Sequence, residues 1–396
     1  MKYLYLKFFQ SRNHNYMMRR IYLIYIFLIM AVACSSSDQQ DTATQLSVEV
    51  EERRPPLAAS ELFSSTDIVA LEANDKSLIA GVDKVLMDKD FFAVVDERSD
   101  KILTFRYDGS HIATINRKGR GPQEYVNMSN ATIDTKGKHF VVYDDMTERV
   151  ILYNYNGDWV KSIKHDVLID ELVAKDGVLY VAHYRTMDNS EDYIASIDLK
   201  SEEVKPIYGF PNQYDTNVGV RGSTLTATAD GVLFTYILDN AIYEVRKGKA
   251  IAKYRFDFGS RNSAGVVNQG VNSDELADKI FDSKCIYALS NTLENDRYLL
   301  TSPNGFGYIT YDKHTKEIGS HSTIRISGMP MSTSNAVIAD GSDNCIVSVL
   351  DVASLLRVKG YMEEDDYKDL DPKIAKILLA TNEDSNPTLV FLKLKE

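Results

Sequence analysis

The sequence predicts an all-β fold, a six-bladed β-propeller of four-stranded antiparallel blades with short helical insertions. Three observations predict it: a turn followed by an apolar strand recurs six times, hairpin turns follow most copies, and strand-like segments flank the repeat region. The copies lie at 88–96, 134–144, 174–182, 229–236, 294–302 and 339–349. Units of about four short strands, spaced about 40 to 65 residues apart, are typical of a propeller rather than a sandwich.

Local signals mark the turns and helices between these strands. Asp108-Gly109 and Asn156-Gly157 lie between alternating apolar runs and predict two-residue hairpins. Ser273, which precedes two acids, is a helix N-cap candidate, and Asp371 precedes a proline suited to the first helical position. We therefore predict two short surface helices, one after each of these residues.

The two ends of the repeat region predict how the ring closes. A strand-like segment at 67–73 precedes the first copy, and another at 388–394 follows the last. Unpaired edge strands favour aggregation. We therefore predict that the two segments pair within one blade.

The first 33 residues have the features of a signal peptide. They contain five cations and no acid, and end in an apolar run from Ile21 to Ala33. This run is shorter than the roughly 20 residues that span a bilayer. We predict a cleaved leader at 1–33, and translation from Met1 or from Met17 or Met18 remains open.

Ala31-Val32-Ala33-Cys34 resembles a lipobox, in which small residues precede a cysteine that receives the lipid. Cys34 is therefore the predicted lipidation site. The small polar residues after it cannot bury enough apolar surface to fold alone. We predict a flexible tether at 34–59 and the propeller domain at 60–396.

Charge and cysteine content restrict the partners and the chemistry. Loss of the five leader cations changes the net charge from −12 to −17. Such an acidic protein repels nucleic acid and anionic lipid, so we predict no nucleic-acid partner and membrane association only through the lipid. We also predict a monomer. Cys285 and Cys345 lie in apolar runs and are predicted to be buried core residues, although a disulfide remains open.

The stretch Lys118–Tyr125, K-G-R-G-P-Q-E-Y, is neither strand-like nor an ordinary turn. Its two glycines permit backbone angles closed to other residues, and its proline adds rigidity. In one interpretation Tyr125 fills a gap between two blades while Arg120 pairs with Glu124. In the alternative, Arg120 and Glu124 are presented to a ligand.

The same loop, the lipobox-like leader and the C-terminal end resemble one known family. The matching residues are Gly119, Gly121, Pro122, Glu124, Tyr125, Asn386, Pro387, Leu389, Val390, Phe391, Lys393 and Lys395. Together they resemble the six-bladed β-propeller lipoproteins of Bacteroidetes, which are related to TolB-like and NHL-type propellers. Gln123 departs from the glycine usual in that family. The resemblance covers nearly the whole mature chain and implies the fold, but the functions of the family are mostly unassigned.

No G-x-S-x-G, H-E-x-x-H, P-loop or zinc-deaminase motif occurs in the sequence. We therefore predict no catalytic residue, no cofactor and no metal site. Loops converge at the mouth of a propeller channel, where ligands bind. Candidates for that mouth, beside the loop residues Arg120, Glu124 and Tyr125, are Arg98, His183, Tyr184, Arg185 and Arg221.

The sequence leaves two functions open. The first is a non-enzymatic, lipid-anchored propeller that binds a protein or glycan partner at the cell envelope. The alternative is a six-bladed enzyme, such as a calcium-dependent lactonase or a sugar dehydrogenase. Its carboxylates would converge from separate blades, which a linear sequence cannot display.

Overall fold

Antiparallel β-sheets make up most of the protein in the computed structural model. The structure describes residues 43–184, 192–209, 218–267, 273–305, 307–333, 336–342 and 344–396. Thr44–Glu396 forms one compact unit. Among the described residues, no helix is long and apolar enough to cross a bilayer.

The strands are numbered in chain order. They are β1 (Thr44–Ser47), β2 (Leu57–Ala58), β3 (Phe63–Ala70), β4 (Lys84–Met87), β5 (Phe92–Asp96), β6 (Lys101–Phe105), β7 (His111–Ile115), β8 (Asn130–Asp134), β9 (His139–Asp144), β10 (Arg149–Asn154), β11 (Trp159–Lys164), β12 (Glu171–Lys175), β13 (Val178–Ala182), β14 (Asp192–Asp198), β15 (Val204–Gly209), β16 (Leu225–Ala227), β17 (Val232–Thr235), β18 (Ala241–Arg246), β19 (Lys249–Asp257), β20 (Leu289–Glu294), β21 (Tyr298–Pro303), β22 (Tyr308–Asp312), β23 (Ile318–His321), β24 (Ile324–Arg325), β25 (Ala336–Asp340), β26 (Cys345–Leu350) and β27 (Thr388–Leu394).

The helices are α1 (Ala59–Leu62), α2 (Ala264–Val267), α3 (Ser273–Ser283), α4 (Val352–Tyr361) and α5 (Pro372–Ala380), with 3₁₀ turns at Gly259–Arg261 and Asp366–Asp369.

Consecutive strands form sheets in which the chain runs from an inner strand outward. The strand orders are β4-β5-β6-β7, β8-β9-β10-β11, β12-β13-β14-β15, β16-β17-β18-β19-β1, β20-β21-β22-β23 and β25-β26-β27-β3. Each inner strand contacts the inner strand of the next sheet, and β25 pairs in parallel with β4. The fold is therefore propeller-like.

Each of the six sequence copies contains a strand, as predicted, and that strand is the second of its sheet. These strands are β5, β9, β13, β17, β21 and β26. In β5 all five residues are buried, because neighbouring sheets cover both of its faces. A continuous apolar run was thus the correct signal for this position.

The hairpin prediction was right about the hairpins and wrong about the length of the turns. The connection from β6 to β7 has five residues, and Gly109 adopts a φ of 90° while its N–H donates to Arg106 O at 2.9 Å. Gly157, with a φ of 79°, donates in the same way to Asn154 O at 2.8 Å. Glycine accommodates this left-handed position. The Asp108 carboxylate accepts the Ser110 N–H and holds the longer turn.

The two ends of the repeat region pair as predicted. β3 and β27 are antiparallel, in register from Ala70 opposite Thr388 to Phe63 opposite Leu394. β27 also pairs with β26, so both edges of the C-terminal strand are hydrogen-bonded. The segments that flank the repeat region therefore belong to one sheet.

The predicted tether at 34–59 extends too far toward the C-terminus. β1 pairs in parallel with β19, and β2 pairs with β24. Leu46, Val48 and Val50 are buried in a cluster with Tyr254 and Phe256, and this burial orders the segment. Residues 44–59 thus belong to the compact unit, whereas the predicted leader and Cys34 lie outside the described residues.

Both predicted helices are present, and α4 was missed together with the four-residue helices α1 and α2. α3 begins at Ser273, and α5 follows Asp371, whose carboxylate accepts the Lys373 N–H at 2.8 Å. Of the missed helices, α4 is capped by Asp351, which accepts the Ser354 N–H at 2.8 Å. The helices α4 and α5, which follow β26 and precede β27 in the chain, pack against each other.

Cys285 and Cys345 are both buried and both carry free thiols. Burial raises the pKa of the Cys345 thiol to about 12. The interpretation as core residues is confirmed.

Candidate functional site

A cavity of about 490 Å³, hereafter the central pocket, lies where the inner strands converge. Every sheet contributes a polar lining residue from its inner strand or next to it: Lys84, Asn130, Glu171, Ser223, Asn291 and Asp340. Lys84, Asn130 and Glu171 are each the first residue of their strand. The first residues of strands in separate sheets therefore meet at one site.

Lys84 links strands of three sheets beside the pocket. Its Nζ donates to Leu172 O of β12 at 3.0 Å and lies 3.6 Å from Asp340 Oδ2 of β25. Asp340 Oδ2 also accepts from Thr132 Oγ1 of β8 at 2.8 Å. Burial raises the pKa of Asp340, and the nearby Lys84 ammonium opposes that effect.

Glu171 is the most heavily hydrogen-bonded carboxylate of the pocket. It accepts from the Tyr184 hydroxyl, from the Ser223 hydroxyl, and from the backbone N–H groups of Thr224 and Leu225 at 3.0 and 3.2 Å. Burial raises the pKa of Glu171, while Lys84 and these donors act in the opposite direction. Its partners are supplied by the protein itself, so Glu171 positions its neighbours rather than receiving a ligand.

Glu97 and Asp83 form a pair of like charges at another part of the pocket. The Glu97 N–H donates to Asp83 Oδ2 at 2.8 Å. Burial, and then repulsion by Asp83, raise the pKa of Glu97 to about 7. A carboxyl group with this pKa exchanges a proton near neutral pH.

Asp170 is positioned by the residues that follow β13. The His183 ring, at Nδ1, lies 2.9 Å from Asp170 Oδ2, and the Tyr184 N–H donates to the same oxygen at 2.7 Å. His183 is 5% exposed and does not line the pocket. It acts behind Asp170, holding that carboxylate at the pocket wall.

The predicted mouth residues differ in their position relative to the central pocket. Tyr184 lines the central pocket, whereas the exposed Arg98 and Arg221 do not. Their sequence neighbours Glu97 and Gly222 line it instead. Arg98, His183 and Arg221 therefore do not line the central pocket, and Arg185 lies outside the described residues.

The loop at 118–125 lies away from the pocket lining, and its predicted ion pair is absent. Glu124 Oε2 accepts the Gly121 N–H at 2.8 Å, and no ion pair joins it to the exposed Arg120 in the described structure. A Cβ at Gly119 would lie 1.9 Å from Glu124 Oε2. A side chain at this position would therefore displace the end of the Glu124 side chain, and neither loop glycine has a positive φ.

Tyr125 packs between two sheets, as the first interpretation of the loop predicts. It is 1% exposed and belongs to a cluster that contains Leu86 of β4 and Ile133 of β8. Its hydroxyl donates to Asp100 O at 2.7 Å and accepts the Arg117 N–H at 2.9 Å. With 1% of its surface exposed, Tyr125 presents almost no area to a ligand.

Sequence reasoning missed most polar residues of the pocket. The missed residues are Asp83, Lys84, Glu97, Asn130, Asp170, Glu171, Ser223, Asn291 and Asp340. A weak signal existed, because Lys84, Asn130 and Glu171 each open the strand that precedes a repeat copy. A polar residue at that recurring position, in otherwise apolar strands, marks the inner end of a sheet.

The donor set of the described residues does not suit a metal ion. Within the described ranges, no group of three or more His, Cys, Asp or Glu side chains is arranged to hold one. Calcium requires six to eight oxygen ligands at one point. The acidic residues of the pocket are spread over separate walls, and most of them are hydrogen-bonded to the protein.

A family model described as a domain of unknown function, DUF4934, matches residues 43–393. No curated protein matches the sequence. A solved structure of a candidate exported protein from Bacteroides fragilis is 18% identical, with a TM-score of 0.68, and the match covers 90% of this chain and 100% of that one. This likeness shows that the two chains share a fold.

Two further solved structures are more distant. A DUF4221 family member from Bacteroides vulgatus is 12% identical, with a TM-score of 0.49 and coverage of 84% of this chain and 97% of that one. A gluconolactonase from Xanthomonas campestris is 9% identical, with a TM-score of 0.44 and coverage of 88% and 97%.

Proposed function

The chain belongs to the DUF4934 family, a domain of unknown function, and we propose that this member is an exported, lipid-anchored binding protein of the cell envelope. Its partner is a protein or a glycan that docks at the central pocket without being chemically converted. The protein acts as a monomer and does not bind nucleic acid.

In this proposal the sheets form a closed six-bladed propeller. The succession of contacts between inner strands supports it, together with the parallel pairing of β25 with β4 between the last and first sheets. The pairing of β3 with β27 gives the final blade its outer strand. A closed ring exposes fewer strand edges than an open series of sheets.

Two observations support export and anchoring. The leader pattern precedes Cys34, and the similar structure from Bacteroides fragilis is that of a candidate exported protein. The net charge of −17 that remains without the five leader cations disfavours nucleic acid and anionic lipid as partners. The lipid at Cys34 is therefore the proposed membrane contact.

The observation that carries the binding function is the convergence of polar side chains from every sheet of the series on one cavity of about 490 Å³. Partly buried charged groups are costly and contribute little to stability by themselves. A ring built only for stability would place apolar side chains at these positions. Concave sites with a few converging polar groups are the usual ligand-binding sites.

The enzymatic alternative rests on one observation. Glu97, with its pKa raised to about 7 beside Asp83, is suited to general acid or base catalysis. The calcium-dependent form also needs a shared ion, and no suitable ligand group occurs among the described residues. A stoichiometric divalent ion in the purified protein would favour that form.

Capture of the partner from envelope extracts tests the proposal. Val220 lines the pocket, so Val220→Trp is expected to fill it and abolish capture. Val160→Trp makes the same change on the outer strand β11, where Val160 is 39% exposed, and should leave capture intact. Equal capture by both variants, with melting temperatures matching the wild type, would rule out the pocket as the docking site.

A further inference from the structure

Donor groups of the central pocket already have partners within the protein. Lys84 Nζ donates to Leu172 O, and the hydroxyl groups of Tyr184 and Ser223 bond to Glu171. Asn130 Nδ2 donates to Asp170 O at 3.2 Å. These four lining side chains therefore offer a ligand few donors.

Two acceptor groups of the pocket, by contrast, receive no hydrogen bond from the described residues. Asn130 is 8% exposed, and its Oδ1 is buried without a hydrogen-bond partner in the described structure. The amide orientation is fixed, because Asp170 O accepts only and so requires Asn130 Nδ2 to face it. The half-buried Glu97 carboxylate accepts no hydrogen bond from the described residues. Asn130 Oδ1, and Glu97 in its ionised form, can therefore each accept a hydrogen bond from a bound donor.

The charges of the lining residues also favour a bound cation. Asp83, Glu97, Asp170, Glu171 and Asp340 face one cation, Lys84. Lys84 lies against Asp340 and Leu172, at one side of the set. A bound cation would therefore gain both hydrogen bonds and Coulomb attraction in a partly desolvated site.

From this inventory we propose that the central pocket receives a lysine side chain of a protein partner. An ammonium group only donates hydrogen bonds, which matches a pocket whose free groups only accept. Val220, Val337 and Ile338 also line the pocket and provide apolar contact for the methylene stem. The inference rests on the proposed function, and it names the partner as a protein with an accessible lysine.

Binding of the ammonium group is coupled to the protonation of Glu97. The groups that act on Glu97 are Asp83, which raises its pKa, and Lys84, which lowers it. Other lining groups that titrate are Asp170, Glu171, Asp340 and Tyr184. Since an ammonium group favours the ionised carboxylate, affinity should rise as the pH passes through about 7.

The test uses the full-length mature protein and Nα-acetyl-lysine methylamide as the probe, followed by NMR titration. Nα-acetyl-norleucine methylamide has a similar stem without the ammonium group and is the matched neutral probe. We expect the lysine probe to bind with a Kd on the order of 1 mM and the norleucine probe to show no saturation. Glu97→Gln should weaken lysine binding about tenfold and remove its rise with pH. Glu364→Gln removes one exposed charge outside the pocket and should change neither.

Each other outcome overturns the inference. Equal binding of the two probes would show that charge is not recognised. Binding of glucosamine without the lysine probe would identify an amino sugar instead, and absence of all binding would exclude the ammonium group. The proposed function is judged separately, because partner capture by Val220→Trp and Val160→Trp does not depend on which probe binds.

Discussion

Tyr125 is buried between the first two sheets of the series, and the fold should depend on its side chain. Tyr125→Ala removes a ring that is 1% exposed and leaves a cavity, so we expect the free energy of unfolding to fall by about 3 kcal/mol or more. Tyr125→Phe should cost about 1 kcal/mol, since Asp100 O loses its donor. Urea denaturation measures both changes.

Arg120→Ala is the control for Tyr125, because it lies in the same loop but is exposed. It should change the free energy of unfolding by less than about 0.5 kcal/mol. A Tyr125→Ala protein as stable as Arg120→Ala would refute the packing role.

Glu97 predicts a pH-dependent stability. Its pKa is about 7 in the folded protein against an ordinary value of 4.5. Between pH 4.5 and about 7, the folded state therefore keeps a proton that the unfolded state has released. The free energy of unfolding therefore falls as the pH rises from 4.5 to 7, and Glu97→Gln avoids that loss.

We expect Glu97→Gln to raise the free energy of unfolding by roughly 2 kcal/mol at about pH 8, with no gain at about pH 4. Urea denaturation at both pH values checks this, with Glu364→Gln as the exposed control. An equal gain at both pH values would contradict a raised pKa of Glu97.

Residue roles were predictable where the signal was local. The loop at 118–125 is continuous in the sequence, and its glycines, proline and tyrosine predicted a rigid packed segment that the structure confirms for Tyr125. The pocket was not predictable, because its groups meet only after the sheets assemble. Glu171 and Ser223, for example, are 52 residues apart in the chain.

At the scale of elements, the pairing of β3 with β27 should be essential for stability. Leu389, Val390 and Leu392 are each 0% exposed, and Phe391 is 5% exposed. Deletion of 387–396 exposes these contacts at about 2 kcal/mol for each large side chain, which together rival the stability of a typical domain. We expect aggregation or a greatly lowered melting temperature, measured by thermal unfolding.

Leu379→Ala, on the exposed face of α5 where Leu379 is 61% exposed, is the control for the deletion and should melt like the wild type. A truncated protein that stays soluble with an unchanged melting temperature would exclude the pairing as a source of stability.

The elements that escaped prediction had weak or conflicting patterns. β1 reads TQLS, with one buried residue in four, and its pairing partner β19 is about 200 residues away. α4 follows β26 almost directly, and its Val352, Val358 and Gly360 are poor helix formers. Its cap, Asp351, was the available signal. By contrast, α5 had aspartate and proline together at its start and was predicted correctly.

For the whole molecule, membrane attachment should depend on Cys34. The apolar run before it, from Ile21 to Ala33, is shorter than a bilayer span, so the lipid is the proposed anchor. Cys34→Ser should release the protein into the soluble fraction or leave an uncleaved precursor, as seen by fractionation and gel mobility. Wild-type fractionation and mobility of the variant would rule out lipidation at this residue.

The propeller-like architecture was predictable because the repeat is expressed in each unit separately. Six apolar strands preceded by turns indicated equivalent positions, and those strands are the second strands of their sheets. The function was less accessible, since the central pocket is a property of the assembled sheets. Its lining combines residues in or next to six inner strands, which no single stretch of sequence contains.

Site-specific photo-crosslinking in envelope extracts tests most directly whether a partner docks at the central pocket. A benzoylphenylalanine side chain would replace Val220 at the pocket, or Val160 on the outer strand β11 as the control. Docking at the pocket predicts a covalent adduct of one partner from position 220 and none from position 160. An adduct from position 160 with none from position 220 would contradict it.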